Sequence, residues 1–213
     1  AGAGTDAAKE CCRIRIPPFP SPGGRNMRVI TGSARGVSLK TPSGQLTRPT
    51  ADRVKEALFS IIQFEIPGAN VLDLFGGTGA ISYEFASRGA ERIYCVEMLP
   101  LHANFIKSQA SKFGMDNLTV VRHNVFEFLE ICHEKFDVIF ADPPYALEGL
   151  ANIPDKVFDR DILHPGAYFI LEHPEEFNFS EHKYFVKERK YGNVHFSFFE
   201  KQGQKSFSQT KWK

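Results

Sequence analysis

The spacing of apolar residues after Pro67 and Gly68 predicts an alternation of strands and helices. Residues 138–141 are continuously apolar, which is typical of a parallel strand that is buried on both faces. Helical patterns separate most of these runs, and one of them, "LHANFIKSQASKFG", ends at Gly114. The strand-like runs cover residues 70–75, 92–97, 118–123, 136–142 and 167–173. Strands that alternate with helices form right-handed βαβ units and a parallel sheet.

The last two apolar runs, "YFVKERKYG" and "VHFSFFEK", follow one another without a helix between them. Only Asn193 separates the second run from Gly192, which predicts an antiparallel hairpin at the edge of the sheet. The predicted fold class is therefore α/β, with a Rossmann-like, seven-stranded and mostly parallel sheet that ends in an antiparallel hairpin.

The segment before Pro67 predicts a β-hairpin and a helix that precede the sheet. "MRVITGSARGVSLKTP" contains two short β-prone runs around Arg35. In "RPTADRVKEALFSII", Thr50 is the predicted N-cap of an amphipathic helix. We therefore expect a hairpin and helix over residues 27–66 and the sheet domain over residues 67–201.

Residues 1–26 and 202–213 are predicted to be tails. Residues 1–26 are rich in Ala, Gly and Pro and show no periodicity, which favours disorder. No methionine precedes Met27, so we expect the native protein to begin there and residues 1–26 to be extraneous to the fold.

Composition is that of an ordinary globular protein, with 42% hydrophobic and 24% charged residues in a chain of 213. No apolar run approaches the roughly 20 residues that a transmembrane helix needs. Cys11, Cys12, Cys95 and Cys132 form neither a C-x-x-C pair nor another metal-ligand spacing, which favours free thiols in a reducing compartment. These features predict a cytoplasmic protein that binds neither a membrane nor a metal ion.

Positive charge is concentrated at the start of the chain. Residues 1–55 contain ten Lys or Arg and three Asp or Glu, a balance of +7, whereas the whole chain carries only +1. Such asymmetry predicts contact with a polyanion, and the alternative is a solvated basic face. The residues of the predicted hairpin region that we expect to contact the polyanion are Arg28, Arg35, Lys40 and Arg48.

A glycine-rich turn follows the first predicted sheet strand in "NVLDLFGGTGAISYEFASRG". Gly76, Gly77 and Gly79 would let the backbone and a helix N-terminus approach a ligand closely. Glu97 ends the next strand about 20 residues later, where an acid can accept both hydroxyls of a ribose. The spacing differs from the G-x-G-x-x-G of dinucleotide-binding loops, and a turn required only for packing is the alternative.

Asn124 follows the third strand and has two possible roles. Its side chain could hydrogen-bond the edge of an adenine, with Val125 or Phe126 beside the ring. It could equally cap the helix "VFEFLEIC", and the two roles are compatible.

The fourth strand ends in the sequence Asp142-Pro143-Pro144-Tyr145, which we call the D-P-P-Y loop. If the glycine turn holds S-adenosylmethionine, the sulfonium methyl group would face this loop. Asp142 and the carbonyl of Pro143 could then accept the two N–H hydrogens of a planar amine and direct its lone pair at the methyl group, while Tyr145 stacks on an extruded base. A purely structural turn is the alternative.

In these motifs the sequence resembles class I amino-methyltransferases, and residues 27–201 resemble the bacterial RsmD family. The resemblance rests on "MRVITGSARG", "TRPTADRVKEALFSII", "VLDLFGGTGAIS", "CVEMLP" and "FDVIFADPPY". It implies a class I methyltransferase fold, S-adenosylmethionine as cofactor, and methylation of N2 of a guanine in 16S ribosomal RNA. The substrate could be naked RNA or an assembled ribonucleoprotein, and we expect the enzyme to be a monomer.

The resemblance also implies which residues surround the cofactor, with Thr50 and Arg53 approaching its methionine end. A surface ion pair is the alternative for Arg53. Asn124 departs from the family pattern, because an acid is common at its position in related enzymes. The full set of expected cofactor contacts is Thr50, Arg53, Asp73, Phe75, Gly76, Gly77, Gly79, Glu97, Met98, Asn124 and Val125.

Rival functions fit part of the sequence. A DNA adenine-N6 methyltransferase would use the same loop, but residues 146–166 are too short for a target-recognition domain. A methyltransferase for a glutamine side chain would favour Asn in place of Asp142. A nicotinamide dehydrogenase leaves the D-P-P-Y loop unexplained, and a non-catalytic RNA-binding protein leaves both motifs without a purpose.

Overall fold

The computed structural model describes residues 26–36, 38–40 and 49–201. The two predicted tails lie outside these residues, except that Asn26 begins the first strand. Arg48 also lies outside them. Within the described part of the chain, no helix has both the length and the apolar character needed to cross a bilayer.

A seven-stranded sheet forms the centre of the molecule, in the order β5-β4-β3-β6-β7-β9-β8. The first five of these strands pair in parallel, and β9 and β8 are antiparallel. The predicted fold class is therefore confirmed. The strands are β3 (Asn70–Asp73), β4 (Arg92–Val96), β5 (Leu118–Val121), β6 (Phe136–Ala141), β7 (Leu163–His173), β8 (Phe185–Tyr191) and β9 (Val194–Glu200).

The predicted N-terminal hairpin is also present. Strands β1 (Asn26–Arg28) and β2 (Ser38–Lys40) pair antiparallel, with Asn26 opposite Lys40. The helices are α1 (Pro49–Ile61), α2 (Ala80–Ser87), α3 (Pro100–Lys112), α4 (Val125–Ile131) and α5 (Ile153–Phe158), the last preceded by a short 3-10 turn at Leu150–Asn152.

Two boundary predictions are wrong. Thr50 is not an N-cap, because α1 already begins at Pro49, whose fixed φ suits the start of a helix. Strand β7 begins at Leu163 and not at residue 167. The strand passes through Gly166, which has a φ of 81°, and its register with β6 shifts between Phe136 and Val138. These two features accommodate a break in the apolar pattern.

Apolar residues on the two faces of the sheet form separate clusters. Val71 points into the cluster that α1, α2 and α3 cover, whereas Leu72 points into the cluster under α4 and α5. Leu58 and Phe59 of α1 are fully buried in the first cluster, so this helix shares the core of the sheet domain. Neighbouring strand residues thus alternate between two buried layers.

The segment after β1 docks on helix α2 through buried polar groups. The carboxylate of Glu84, which is fully buried, accepts the N–H groups of Ile30 at 2.9 Å and Thr31 at 3.0 Å and also pairs with Arg88. The hydroxyl of Ser87 donates to the carbonyl of Thr31 at 2.6 Å. These bonds give partners to backbone groups that are partly buried where the segment meets α2.

Gly32 makes this docking possible. Its φ is 89°, and a Cβ atom there would lie 1.9 Å from the carbonyl oxygen of Ser87. Gly36 has a similar φ of 83°, but a Cβ atom there would meet nothing within 4 Å. Both glycines have a backbone conformation that other residues rarely adopt, but only Gly32 also lies too close to Ser87 for a side chain. Substitutions at the two positions can therefore distinguish backbone strain from steric overlap.

We predict that Gly32→Ala destabilises the protein more than Gly36→Ala. Both variants incur about 1–2 kcal/mol of backbone strain, and only Gly32→Ala adds overpacking of about 1–3 kcal/mol. Urea denaturation measures the difference, and hydrogen exchange at the amides of Ile30 and Thr31 reports whether the segment has left α2. Equal losses of stability and equal exchange in both variants would contradict this account of the docking.

Candidate active site

Polar residues follow four neighbouring parallel strands and meet at one end of the sheet. Asp73 ends β3, Glu97 follows β4, Asn124 lies three residues after β5, and Asp142 follows β6. Because these strands are adjacent and parallel, their carboxyl ends lie together, which is where open α/β sheets bind ligands. The structure thus brings together the main residues that the motifs predict.

The glycine turn has packing constraints of its own. The N–H of Gly76 donates to the carbonyl of Val96 at 2.8 Å, and a Cβ atom on Gly76 would lie 2.5 Å from the sulfur of Cys95. Gly79 is the N-cap residue before α2 and has a φ of 83°, and a Cβ atom there would strike the ring of Tyr83. Packing therefore accounts for these two glycines, and it also brings the turn close to β4.

The Glu97 carboxylate hydrogen-bonds the backbone of the glycine turn and of the segment that follows β4. Its side chain is buried, and its two oxygens accept the N–H groups of Gly77 and Leu99, each at 2.7 Å. A carboxylate can accept further hydrogen bonds through its remaining lone pairs. Glu97 therefore combines a structural role with the capacity to bind a diol.

Asp73 carries an unsatisfied acceptor. Its Oδ2 atom accepts a hydrogen bond from the hydroxyl of Ser82 at 2.6 Å, whereas Oδ1 is buried with no hydrogen-bond partner among the described residues. Burial raises the pKa of Asp73 to about 6, against the lowering effect of the Ser82 bond. A buried carboxylate with a vacant oxygen fits a cationic donor, and S-adenosylmethionine has an ammonium group at its methionine end.

Asn124 caps helix α4, as one of its two predicted roles requires. Its Oδ1 atom accepts the N–H groups of Phe126 at 2.9 Å and Glu127 at 3.3 Å, while its amide nitrogen lies 3.9 Å from the sulfur of Met98. The adenine contact stays a prediction, and the amide nitrogen is the part of the side chain that it would use. Val125 is buried in the core under α4, so the half-buried Phe126 is better placed beside a ring.

The D-P-P-Y loop presents an acid and an aromatic ring to solvent. Asp142 is exposed, Pro143 is buried, and Tyr145 is 43% exposed. The N–H of Leu147 donates to the carbonyl of Pro144 at 2.8 Å, which closes a tight turn after the two prolines. The loop is thus a rigid support for two accessible functional groups.

Glu172 is a site residue that sequence reasoning missed. It lies near the carboxyl end of β7, and its Oε1 atom accepts the hydroxyl of Tyr145 at 3.3 Å. Burial raises the pKa of Glu172 to about 7, although hydrogen bonds from Tyr145 and Asp142 lower it. The available signal was an acid near the end of a buried strand, the same signal that identifies Asp73, Glu97 and Asp142.

The Asp142 carboxyl group lies near the like charge of Glu172. Desolvation by the surrounding protein raises the pKa of Asp142, and the like charge of Glu172 raises it further. Because the Asp142 side chain is itself exposed to solvent, like-charge repulsion is the firmer cause.

Among the described residues, no contact connects the other predicted cofactor-binding and RNA-binding residues to this end of the sheet. Arg53 is exposed and lines a groove of about 300 Å³ together with Ile30, Arg35, Asp52 and Glu56. Its approach to the methionine end of a cofactor, like that of Thr50, stays a prediction. Arg35 is exposed near the hairpin turn, and Arg28 and Lys40 belong to its two strands.

A separate polar cluster lies on β7, β8 and β9. Ring nitrogens of His173 and His195 and a carboxylate oxygen of Glu188 lie within 4.8 Å of one another. His195 Nδ1 is 3.0 Å from Glu188 Oε1, and His173 Nε2 is 2.8 Å from the hydroxyl of Ser197. Hydrogen bonds within the protein therefore account for this cluster without an ion.

Comparison with known proteins gives a consistent result. A family model described as Conserved hypothetical protein 95 matches residues 27–200. Ribosomal RNA small subunit methyltransferase D of Haemophilus influenzae is 31% identical over 150 residues, which cover 68% of this chain and 78% of that protein. The protein of the same name from Escherichia coli K12 is also 31% identical over 150 residues, covering 70% of this chain and 76% of its own.

A solved structure from Thermus thermophilus, described as a hypothetical protein, has the same fold. It is 30% identical in sequence, and its TM-score is 0.72. The alignment covers 81% of this chain and 98% of that one. The likeness therefore extends over most of this chain and nearly the whole of the other.

Proposed function

Since the chain belongs to the RsmD family, whose family model is described as Conserved hypothetical protein 95, we propose that it methylates the N2 amine of a guanine in 16S ribosomal RNA. The observation that carries the proposal is the D-P-P-Y loop, in which Asp142 and Tyr145 stand exposed beside the glycine turn and its acids. Methylation of ribosomal RNA is the activity named for the two relatives, and the guanine N2 target is supported by the sequence motifs.

S-adenosylmethionine supplies an electrophilic methyl group when bound. Asp73 would hold its ammonium group through the vacant Oδ1 atom, and Glu97 would accept the ribose hydroxyls while it continues to bind Gly77 and Leu99. The partly exposed side chain of Met98 and the amide of Asn124 would border the adenine. The chemistry needs no metal ion, because the methyl donor is already activated by its positive charge.

Asp142 and the carbonyl of Pro143 would accept the two N–H hydrogens of the guanine amine. This arrangement lets the nitrogen become pyramidal and directs its lone pair, which is delocalised in the free base, toward the methyl group. The nitrogen loses one proton as it gains the methyl group, and the Asp142 carboxylate is placed to accept that proton. Tyr145 would stack on the base after it leaves its helix.

RNA would approach over the N-terminal hairpin, which docks on α2 beside the catalytic domain. The substrate of the proposed reaction is 16S RNA, either naked or within an assembled small subunit, and we propose a cytoplasmic location for the enzyme. The connection between β6 and β7 contains only the 3-10 turn and α5, which leaves no space for the target-recognition domain of a DNA methyltransferase.

We predict that Glu97→Ala weakens S-adenosylmethionine binding by about ten- to a hundredfold, which is the loss of one buried charge-assisted hydrogen-bond pair. Calorimetry measures the affinity, and thermal melting checks that the loop anchored by Glu97 still folds. Glu91→Ala is the matched control, because Glu91 is exposed just before the opposite end of β4. Unchanged affinity in Glu97→Ala, or tight NAD binding by the parent, would contradict the assignment.

We predict that replacing Arg35 and Lys40 together with Ala weakens RNA binding and flattens its salt dependence, because fewer counterions are released. Cofactor affinity should not change. Replacement of Lys107 and Lys112, exposed on α3, removes the same charge elsewhere. If both double variants give the parental slope of affinity against salt, the hairpin is only a solvated face.

We predict that Asp142→Asn lowers the single-turnover rate of methyl transfer by about a hundred- to a thousandfold, with little effect on RNA or cofactor affinity. The substitution keeps the size of the side chain but removes the charge that favours a nitrogen becoming positive. Tyr145→Ala should mainly weaken RNA capture, by about 1–3 kcal/mol for a lost stack.

Asp116→Asn is the control for Asp142→Asn, since Asp116 is exposed just before the opposite end of β5. Cofactor binding and thermal melting are measured on the same variants. A folded Asp142→Asn protein that transfers methyl groups at the parental rate would refute the mechanism.

A further inference from the structure

The last residues of β6 and β7 place two carboxyl groups side by side. These strands pair in parallel with Ala141 opposite Leu171, so the next residues, Asp142 and Glu172, are neighbours. The hydroxyl of Tyr145 donates to Glu172 Oε1 at 3.3 Å, and the like charge of Glu172 raises the pKa of Asp142. Glu172 thus interacts with both functional groups of the D-P-P-Y loop.

We infer that Glu172 is a positioning residue of the D-P-P-Y site, which shares one proton with Asp142 and holds the Tyr145 ring by its hydroxyl group. The inference rests on the proposed function, because it assigns Glu172 a task in methyl transfer. It goes beyond that function by adding a residue outside both sequence motifs.

Two neighbouring carboxyl groups can share one proton, because both cannot ionise freely at short range. The directions of the two pKa shifts place that proton on Asp142 in the free protein. Movement of the proton from Asp142 to Glu172 leaves Asp142 with the negative charge and with an oxygen free to accept the substrate amine. When both groups are protonated, Asp142 is neutral and is a poorer acceptor. The state with a single shared proton is therefore the active one.

The titration of this pair has a definite direction. Burial raises the pKa of both carboxyl groups, like charge raises that of Asp142 further, and the pKa of Glu172 lies at about 7. The two protons belong to the pair and not to either residue alone. Below about pH 7 the pair gains its second proton, so the rate of methyl transfer should fall as pH falls through this range.

Other charged groups face the pair from the surrounding elements. Asp73 on β3 adds negative charge near Asp142, and Glu176, after β7, acts on Tyr145. On β9, Phe196 lies opposite Glu172 in the sheet, and Arg189 of β8 lies beyond it. Asp142, which carries a like charge, and Tyr145, which donates a hydrogen bond, are the neighbours that should have the largest effect on the titration of Glu172.

Two substitutions should move the acid limb of the pH–rate profile in opposite directions. Glu172→Gln keeps a donor for Asp142 and an acceptor for Tyr145 but removes the like charge, so the limb should move down by about one pH unit or more. Tyr145→Phe keeps the ring but removes the donor that favours ionised Glu172, so the limb should move up. A residue that only supports the fold would produce neither shift.

The experiment is single-turnover methyl transfer to 16S RNA from about pH 5.5 to about pH 9, a range that brackets the expected limb. The parent is compared with Glu172→Gln, Tyr145→Phe and the control Glu176→Gln, which removes an exposed acid that does not touch Asp142. Carbon-13 NMR of the Asp142 and Glu172 carboxyl groups, in protein without cofactor or RNA, follows the same titration independently. Thermal melting confirms that each variant is folded.

The expected result is opposite shifts in the first two variants, no shift in Glu176→Gln, and coupled carboxyl titrations that disappear in Glu172→Gln. Parental pH profiles in both folded variants, or independent titrations at ordinary carboxyl values, would overturn the role of Glu172. If the parent transfers no methyl group, the proposed function fails. The NMR titration still decides whether the two carboxyl groups share a proton.

Discussion

Parallel pairing of β3, β4, β5 and β6 is the constraint on which the rest of the structure depends. Residues that follow parallel neighbours must lie at one end of the sheet, whatever their separation along the chain. Asp73 and Asp142 are 69 positions apart by their numbers, yet they end adjacent strands. The helices on both faces exclude water from the strands and leave these ends open. The polar residues of the candidate active site therefore lie at the end of the sheet, next to the apolar core and open to solvent.

The cost of this arrangement is a concentration of negative charge. Asp73, Glu97, Asp142 and Glu172 all lie at the carboxyl ends of neighbouring strands, and two of them are buried. Backbone N–H groups stabilise Glu97, and a hydroxyl stabilises one oxygen of Asp73. The like charges of Asp142 and Glu172 oppose ionisation of Asp142, whose pKa is raised. The site is thus prepared for ligands that bring positive charge or hydrogen-bond donors. S-adenosylmethionine and an exocyclic amine are ligands of this kind.

Much of this account could be predicted from sequence because apolar periodicity fixes the strands and topology then fixes their ends. The glycine turn and the D-P-P-Y loop were found in this way. Glu172 was missed because its role depends on register between β6 and β7, which no local pattern encodes. The docking bonds of Glu84 join residues 53 and 54 positions apart, so they too are invisible to local reasoning. Thr50 does not cap α1, because the helix already begins at Pro49, whose fixed φ suits its first turn.

The most direct test of the central claim is identification of the product. Purified protein is incubated with 16S RNA, free or in small subunits, and S-adenosylmethionine with a labelled methyl group, and the digested nucleosides are separated by mass spectrometry. The account predicts that the label appears in N2-methylguanosine. Label in N6-methyladenosine or another nucleoside, or no label in either substrate, would contradict it.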